Sequence, residues 1–254
     1  MNSKMKLSII SFVAFLVLTS SAFAQTNAGG VARYQDCIGL ISIAPGTAFE
    51  AAIAWEAEGG GPPARHCTAL ALIALGSEEE GASRLEALAQ EPGAGEPPLL
   101  AEILAQAASA WILVGRPAQA ERVLDRAIKL SPANPDLFLA RAEARALQEK
   151  GRDARADVDR AIKLNPLEPE AYVFRANLKR NQSQTADALV DLTTALDLAP
   201  QNLNALMERG QLHEAKGDKS AARRDYIAVL RWGEEGPSVE AARAALERLD
   251  VNLN

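Results

Sequence analysis

Small and large apolar residues recur along this chain at one interval. Ala108, Ala142, Ala176 and Gly210 stand 34 residues apart, and Ala120, Ala154, Ala188 and Ala222 keep the same step. Four residues after the second column come Leu124, Val158, Leu192 and Tyr226. Then come Ala127, Ala161, Ala195 and Val229, followed by Leu130, Leu164, Leu198 and Trp232. Offsets of three and four place each set on one helix face. Small columns let two helices approach while large ones fill the space beside them. Pro132, Pro166 and Pro200 share the 34-residue step and end the second helix of each unit, where they cannot continue the hydrogen-bond ladder. The pattern predicts four helix–turn–helix units, about 101–134, 135–168, 169–202 and 203–236, with turns near Gly115, Gly151 and Gly217.

The flanks of this array are helical but off its register. Helices are expected over Val31–Ile43, Gly46–Glu58, Pro63–Leu75 and Ser77–Gln90, with Ser77 and Glu80 spaced as a capping box. Gly59-Gly60-Gly61-Pro62-Pro63 forces a break. The run Glu91–Pro98 reads as a short linker, so residues 25–92 are divided as an N-terminal module, 93–100 as linker, 101–236 as the regular array and 237–254 as a cap. Val239, Ala242, Leu246 and Leu249 lie at helical spacing, as expected of an atypical terminal helix covering the apolar face that the last repeat exposes.

Residues 1–24 have the pattern of a secretory signal. Lys4 and Lys6 precede a largely apolar run, Leu7–Leu18, and Ala22-Phe23-Ala24 forms a small-x-small cleavage site. About a dozen apolar residues are too few to span a bilayer comfortably. No cysteine follows the run, so no lipoprotein signal is expected. The mature chain is expected to start near Gln25, without a stable membrane anchor, in the periplasm or outside the cell.

Charge narrows the partner classes. Loss of Lys4 and Lys6 takes the formal net charge from −6 to about −8. Residues 25–100 hold three arginines against ten acidic residues, whereas 101–254 are near balance with 22 basic and 23 acidic. Such a surface disfavours nucleic acid and anionic lipid. Glu102, Asp136 and Glu170 at helix starts are first explained by the helix dipole. A second reading gives them an acidic tint in a binding groove.

The motif A-x3-[LVY]-x2-[AV], then a large apolar residue and proline, stands at Ala120–Leu124–Ala127–Leu130–Pro132 and recurs 34 and 68 residues on. The fourth copy keeps Ala222 and Tyr226 but has Glu234 in place of proline. This resembles the tetratricopeptide repeat family. The resemblance implies an all-α solenoid, a right-handed superhelix with a capping helix, whose concave face is lined by the first helices. Carried across, the family's groove columns give an apolar ladder at Ala105, Leu139, Val173 and Met207. A polar ladder follows at Ser109, Glu143, Asn177 and Gln211, and a third column at Ile112, Ala146, Arg180 and Glu214. The family's carboxylate clamp needs lysine and asparagine in the first two ladders, and only Asn177 matches. Chaperone-tail binding is therefore not expected. The family's tyrosine column reads Trp111, Arg145, Lys179 and His213, which implies looser inter-repeat packing. Arg141, Arg175 and Arg209 form a ladder read as packing or ion-pairing. The stretch W-E-A-E-G-G-G-P-P-A-R-H-C (55–67) resembles a variant in exported bacterial members.

The chain's two cysteines, Cys37 and Cys67, are expected to form a disulfide in an exported protein, stabilising by roughly 3–4 kcal/mol in the chain-entropy model. His66 beside Cys67 invites a metal or haem reading, but the chain has two histidines and no C-x-x-C, so no metal, cofactor or catalytic set is expected. Gly59–Gly61 precede two prolines, which donate no N–H groups to a phosphate. The reading is a periplasmic scaffold or adaptor that binds a protein or peptide through Leu139, Val173, Met207, Glu143, Asn177, Gln211 and Arg180. One alternative is an accessory subunit of an envelope assembly machine, such as cytochrome c maturation or cell-wall synthesis. Another is an enzyme with its site in the N-terminal module, which replacement of His66 or Cys67 would probe. Oligomeric state stays open, with a monomer compatible because Ser238–Leu249 closes the array.

Overall fold

The computed structural model describes residues 29–251, and every regular element among them is an α-helix. The signal expected over residues 1–24 lies outside the described residues. Contacts divide the chain into two compact units, with the division at Arg116/Pro117, inside the first 34-residue repeat.

The first unit contains α1 (residues 29–41), α2 (Pro45–Ala57), α3 (Gly61–Ala74), α4 (Glu78–Leu88) and α5 (Pro97–Leu113). α2 packs on α3, α3 on α4 and α4 on α5. Cys37, Ala48, Ala52, Cys67 and Ala71 form a small-residue core where α1, α2 and α3 meet, with Ile38, Leu40, Ile41 and Phe49 around it. Pro45 and Pro97 occupy first-turn positions, where a missing N–H costs nothing. Of the residues read as a linker, 97–100 already belong to α5. The capping box does not form. Ser77 is the N-cap of α4 but its side chain accepts no cap hydrogen bond. Glu80 pairs instead with Arg84 one turn on, at 2.8 Å.

The second unit contains α6 (Pro117–Leu130), α7 (Pro135–Ala146), α8 (Gly151–Leu164), α9 (Pro169–Asn181), α10 (Thr185–Leu198), α11 (Leu203–Ala215), α12 (Lys219–Trp232) and α13 (Pro237–Val251). The hairpins α7–α8, α9–α10 and α11–α12 stack in order, and α13 packs on α11 and α12. Its Val239, Ala242, Ala245 and Leu249 are buried in the terminal core beside Tyr226 and Val229, with Leu246 partly buried there.

The turns follow one geometry, and it corrects the sequence expectation. Gly115, Glu149, Ser183 and Gly217, again 34 residues apart, all have positive φ, at 70°, 61°, 59° and 82°. The residue after each donates its N–H back over five residues: Arg116 to Trp111, Lys150 to Arg145, Gln184 to Lys179 and Asp218 to His213, at 2.8–3.0 Å. That is the Schellman closure of a helix C-terminus. Gly151 is not the turn residue; it is the first residue of α8. The left-handed position falls at Glu149, which no glycine marked.

The arginine ladder is an ion-pair ladder. Arg141 grips Asp157 with two bonds of 2.9 and 2.6 Å, Arg175 grips Asp191 at 3.0 and 2.8 Å, and Arg209 grips Asp225 at 3.0 and 2.7 Å. All three aspartates are buried. Arg141 also reaches Asp125 and Arg175 reaches Asp159, both at 2.7 Å, on the helix sixteen residues back. Each of these two guanidiniums therefore ties its own hairpin to the preceding helix. Two of the three polar residues in the tyrosine column, Arg145 and Lys179, join this network, and the third, His213, lies 4.0 Å from Asp218. Arg145 bonds Asp157 at 2.8 Å and Glu121 at 2.9 Å, and Lys179 lies 2.7 Å from Asp191.

Two columns compensate each other in the last repeat. Tyr226 stands where the other repeats have Leu or Val. It is fully buried and donates its hydroxyl to Glu214 at 2.8 Å. Burial, then that bond, push the hydroxyl well above the usual phenol range. The facing small column changes from Ala to Gly210, where an added Cβ would sit 2.6 Å from the Tyr226 ring.

Gly210→Ala is expected to destabilise by about 1–3 kcal/mol, with Tyr226→Leu recovering part of the loss. Urea unfolding of the single and double variants checks this, and additive losses would contradict it. A second prediction concerns acid. Burial pushes the Glu121 carboxyl up, but bonds from Lys150, Arg145 and Gln148 outweigh it and hold it at about 2, against an ordinary 4.5. A depressed folded value means the pairing stabilises the fold above about pH 4.5 and fades as pH falls toward 2. Glu121→Gln should therefore destabilise at about pH 6 and much less at about pH 3. A gap between variant and parent that is the same at both contradicts the assignment.

Candidate protein-docking groove

Within the second unit, α9 and α11 lie side by side and the start of α13 closes one end of the space before them. The result is a groove of about 470 Å³. Val173, Asn177, Met207 and Gln211, four of the residues chosen from sequence, line it together. They meet because positions four apart on α9 and α11 project onto one face.

The floor and the rim differ in character. Val173 and Met207 expose only 5% and 8% of their surface and belong to the terminal core. They supply an apolar floor while also packing the repeats. The accessible rim is polar and acidic, with Glu170, Asn204, Glu208 and Gln211, and among the described residues no lysine or arginine lines the groove. Glu170 accepts from Asn202 at 2.7 Å. Glu208 lies 3.5 Å from Arg180, yet its buried Oε2 has no hydrogen-bond partner. That oxygen faces the Arg180 guanidinium as an ion pair without hydrogen-bond geometry.

The other sequence candidates fall elsewhere. Leu139 is half-buried against Ala142, Ala154, Val158, Ala171 and Leu178. Glu143 is exposed on α7. Arg180 acts on the groove through Glu208 and does not line it. Sequence columns missed Phe174 and Asn204 on the repeat helices, and Pro237, Ser238 and Ala241 on the cap. The cap residues lie outside the 34-residue register, so no column pointed to them.

In the first unit, Cys37 and Cys67 are joined as a disulfide, with Cα atoms 6.4 Å apart. Cys67 therefore offers no thiolate to a reaction. His66 is buried and bonded at both ring nitrogens, by the Tyr34 hydroxyl at Nδ1 and to Gln106 Oε1 from Nε2, each at 2.6 Å. Burial pushes its pKa down, against smaller upward effects of Gln106 and Glu102. Among the described residues no three His, Cys, Asp or Glu side chains converge as a metal site, and no helix is long and apolar enough to cross a membrane.

Comparison with known proteins agrees with this architecture. Residues 114–169 and 175–240 match the model of the tetratricopeptide repeat. No curated protein matches the sequence. Among solved structures, Pseudomonas aeruginosa PilF superposes with a TM-score of 0.65 at 16% identity, covering 86% of this chain and 98% of its own. MamA from Desulfovibrio magneticus RS-1 gives 0.58 at 18% identity over 67% and 94% of the two chains. YrrB, a TPR protein with an unusual peptide-binding site, gives 0.53 at 16% identity over 75% and 96%. At such identities the likeness is one of fold.

The disulfide closes the chain across α1, α2 and α3, so its removal should loosen the first unit. Cys37→Ser with Cys67→Ser, or reduction of the parent, is expected to lower unfolding free energy by roughly 3–4 kcal/mol. Denaturation with and without reductant measures this. Equal stability in both states would show that the bond does not staple the unit.

Proposed function

We propose that this chain, which belongs to the tetratricopeptide repeat family, is a non-catalytic scaffold that docks a protein segment in the groove between α9, α11 and α13. The observation that carries the reading is the acidic rim of Glu170 and Glu208 over an apolar floor of Val173 and Met207. The segment it fits presents a small apolar side chain to Phe174, Val173 and Met207 and a basic or N–H-bearing group to Glu208 and Glu170. Extended and helical segments both achieve this, since each projects side chains at fixed intervals.

The proposal places the protein outside the cytoplasm. Its support is the signal pattern over residues 1–24 and the Cys37–Cys67 bond, which suits an oxidising compartment. The partner is accordingly an envelope or secreted protein.

The test offsets the rim charge without touching the core. Asn204→Lys with Gln211→Lys, both exposed on the rim, is expected to reduce recovery of the partner in crosslinked pull-down from the native compartment by tenfold or more, with an unchanged melting temperature. Unchanged recovery with an intact fold would remove the groove from the function.

A further inference from the structure

The first unit holds a second cavity, of about 640 Å³, which the docking reading does not use. Its walls come from Trp55 on α2, Leu88 on α4, and Leu99 and Ile103 on α5. Its polar edge is Tyr34 on α1 and His66 on α3, with the exposed Gln35 at the rim. Trp55, Leu88 and Ile103 are buried, whereas Leu99 remains 47% exposed. A volume within a few hundred cubic ångströms of this, mostly apolar with a few convergent polar groups, is the usual form of a small-molecule site.

The chemistry at the polar edge follows from counting protons. Gln106 Oε1 is an acceptor, so His66 Nε2 carries the hydrogen. The neutral ring then presents a lone pair at Nδ1, and the Tyr34 hydroxyl spends its only proton there. Tyr34 Oη is left with acceptor capacity and no proton to offer. Among the described residues, no lysine, arginine, aspartate or glutamate lines the cavity. The disulfide joins α1 and α3 beside this relay, one turn beyond Tyr34 and next to His66.

From this arrangement we infer that the cavity binds a free, neutral aromatic molecule carrying one hydrogen-bond donor, of the indole or phenol class. The ring packs among Trp55, Leu88, Leu99 and Ile103, and its N–H or O–H donates to Tyr34 Oη. A charged ligand is disfavoured because no described residue lining the cavity neutralises it. The inference is independent of the groove, which lies in the other unit.

The test titrates the oxidised protein with indole, by calorimetry, against 1-methylindole, which keeps the ring and loses the donor. Saturable binding of one indole per chain is expected, with 1-methylindole roughly five- to tenfold weaker. Leu99→Glu changes a half-exposed side chain and is expected to abolish indole binding while leaving the helical circular dichroism intact. Tyr34→Phe should bring indole down to the affinity of 1-methylindole. Absence of saturable binding by indole and by phenol, equal affinity for the two indoles, or full binding by Leu99→Glu would each overturn the assignment. N-acetyltryptophan amide binding more tightly than indole would also overturn it, transferring the cavity to a partner's side chain.

Discussion

Three buried aspartates govern the repeat array. A carboxylate moved out of water loses several kilocalories per mole of solvation, and only close, well-aligned partners compensate. Asp157, Asp191 and Asp225 each receive a two-bond grip from an arginine on the preceding helix. Because a guanidinium offers its donors in a rigid fork, the pairing fixes where each second helix sits along the first. The Ala and Gly columns permit the approach, and the ion pairs set its register. Apolar contact alone is less discriminating, since small residues slide past one another at little cost.

This register has a consequence for the surface. With Val173 and Met207 held in the core, α9 and α11 turn their polar residues outward in a fixed frame, and the cap supplies the end wall. In the proposed docking, specificity would come from Asn177, Asn204 and Gln211 beside Glu170 and Glu208, above the packing beneath. The first unit is built differently: a disulfide and a small-residue core bring α1, α2 and α3 together, with a polar relay at His66 beside them.

Much of the fold was legible because burial repeats. Periodic columns located every helix of the array, and the pattern at Val239, Ala242 and Leu249 located the cap. Turn chemistry was less legible. Glu149 and Ser183 take a left-handed conformation that glycine takes at the same position in other repeats, while Gly151 starts a helix instead. Here the closing hydrogen bonds of the helix end override residue preference. The capping box failed because Glu80 had a nearer partner in Arg84, a competition that spacing alone does not reveal. Arg145 and Lys179 looked like defects in an aromatic column, yet they serve aspartates twelve residues on, a relation that appears only once both helices are in place. The groove was half legible. Residues in register were found, whereas Pro237, Ser238 and Ala241 come from outside the repeat.

The central claim is that the α9–α11–α13 face is where another protein docks. Photocrosslinking tests it most directly, with benzoylphenylalanine placed at Gln211 in the groove or at Val190, which is exposed on α10. The account expects a discrete crosslinked partner from position 211, lost when Glu208 is changed to lysine, and none from position 190. A partner captured from position 190 but not from 211 would contradict it.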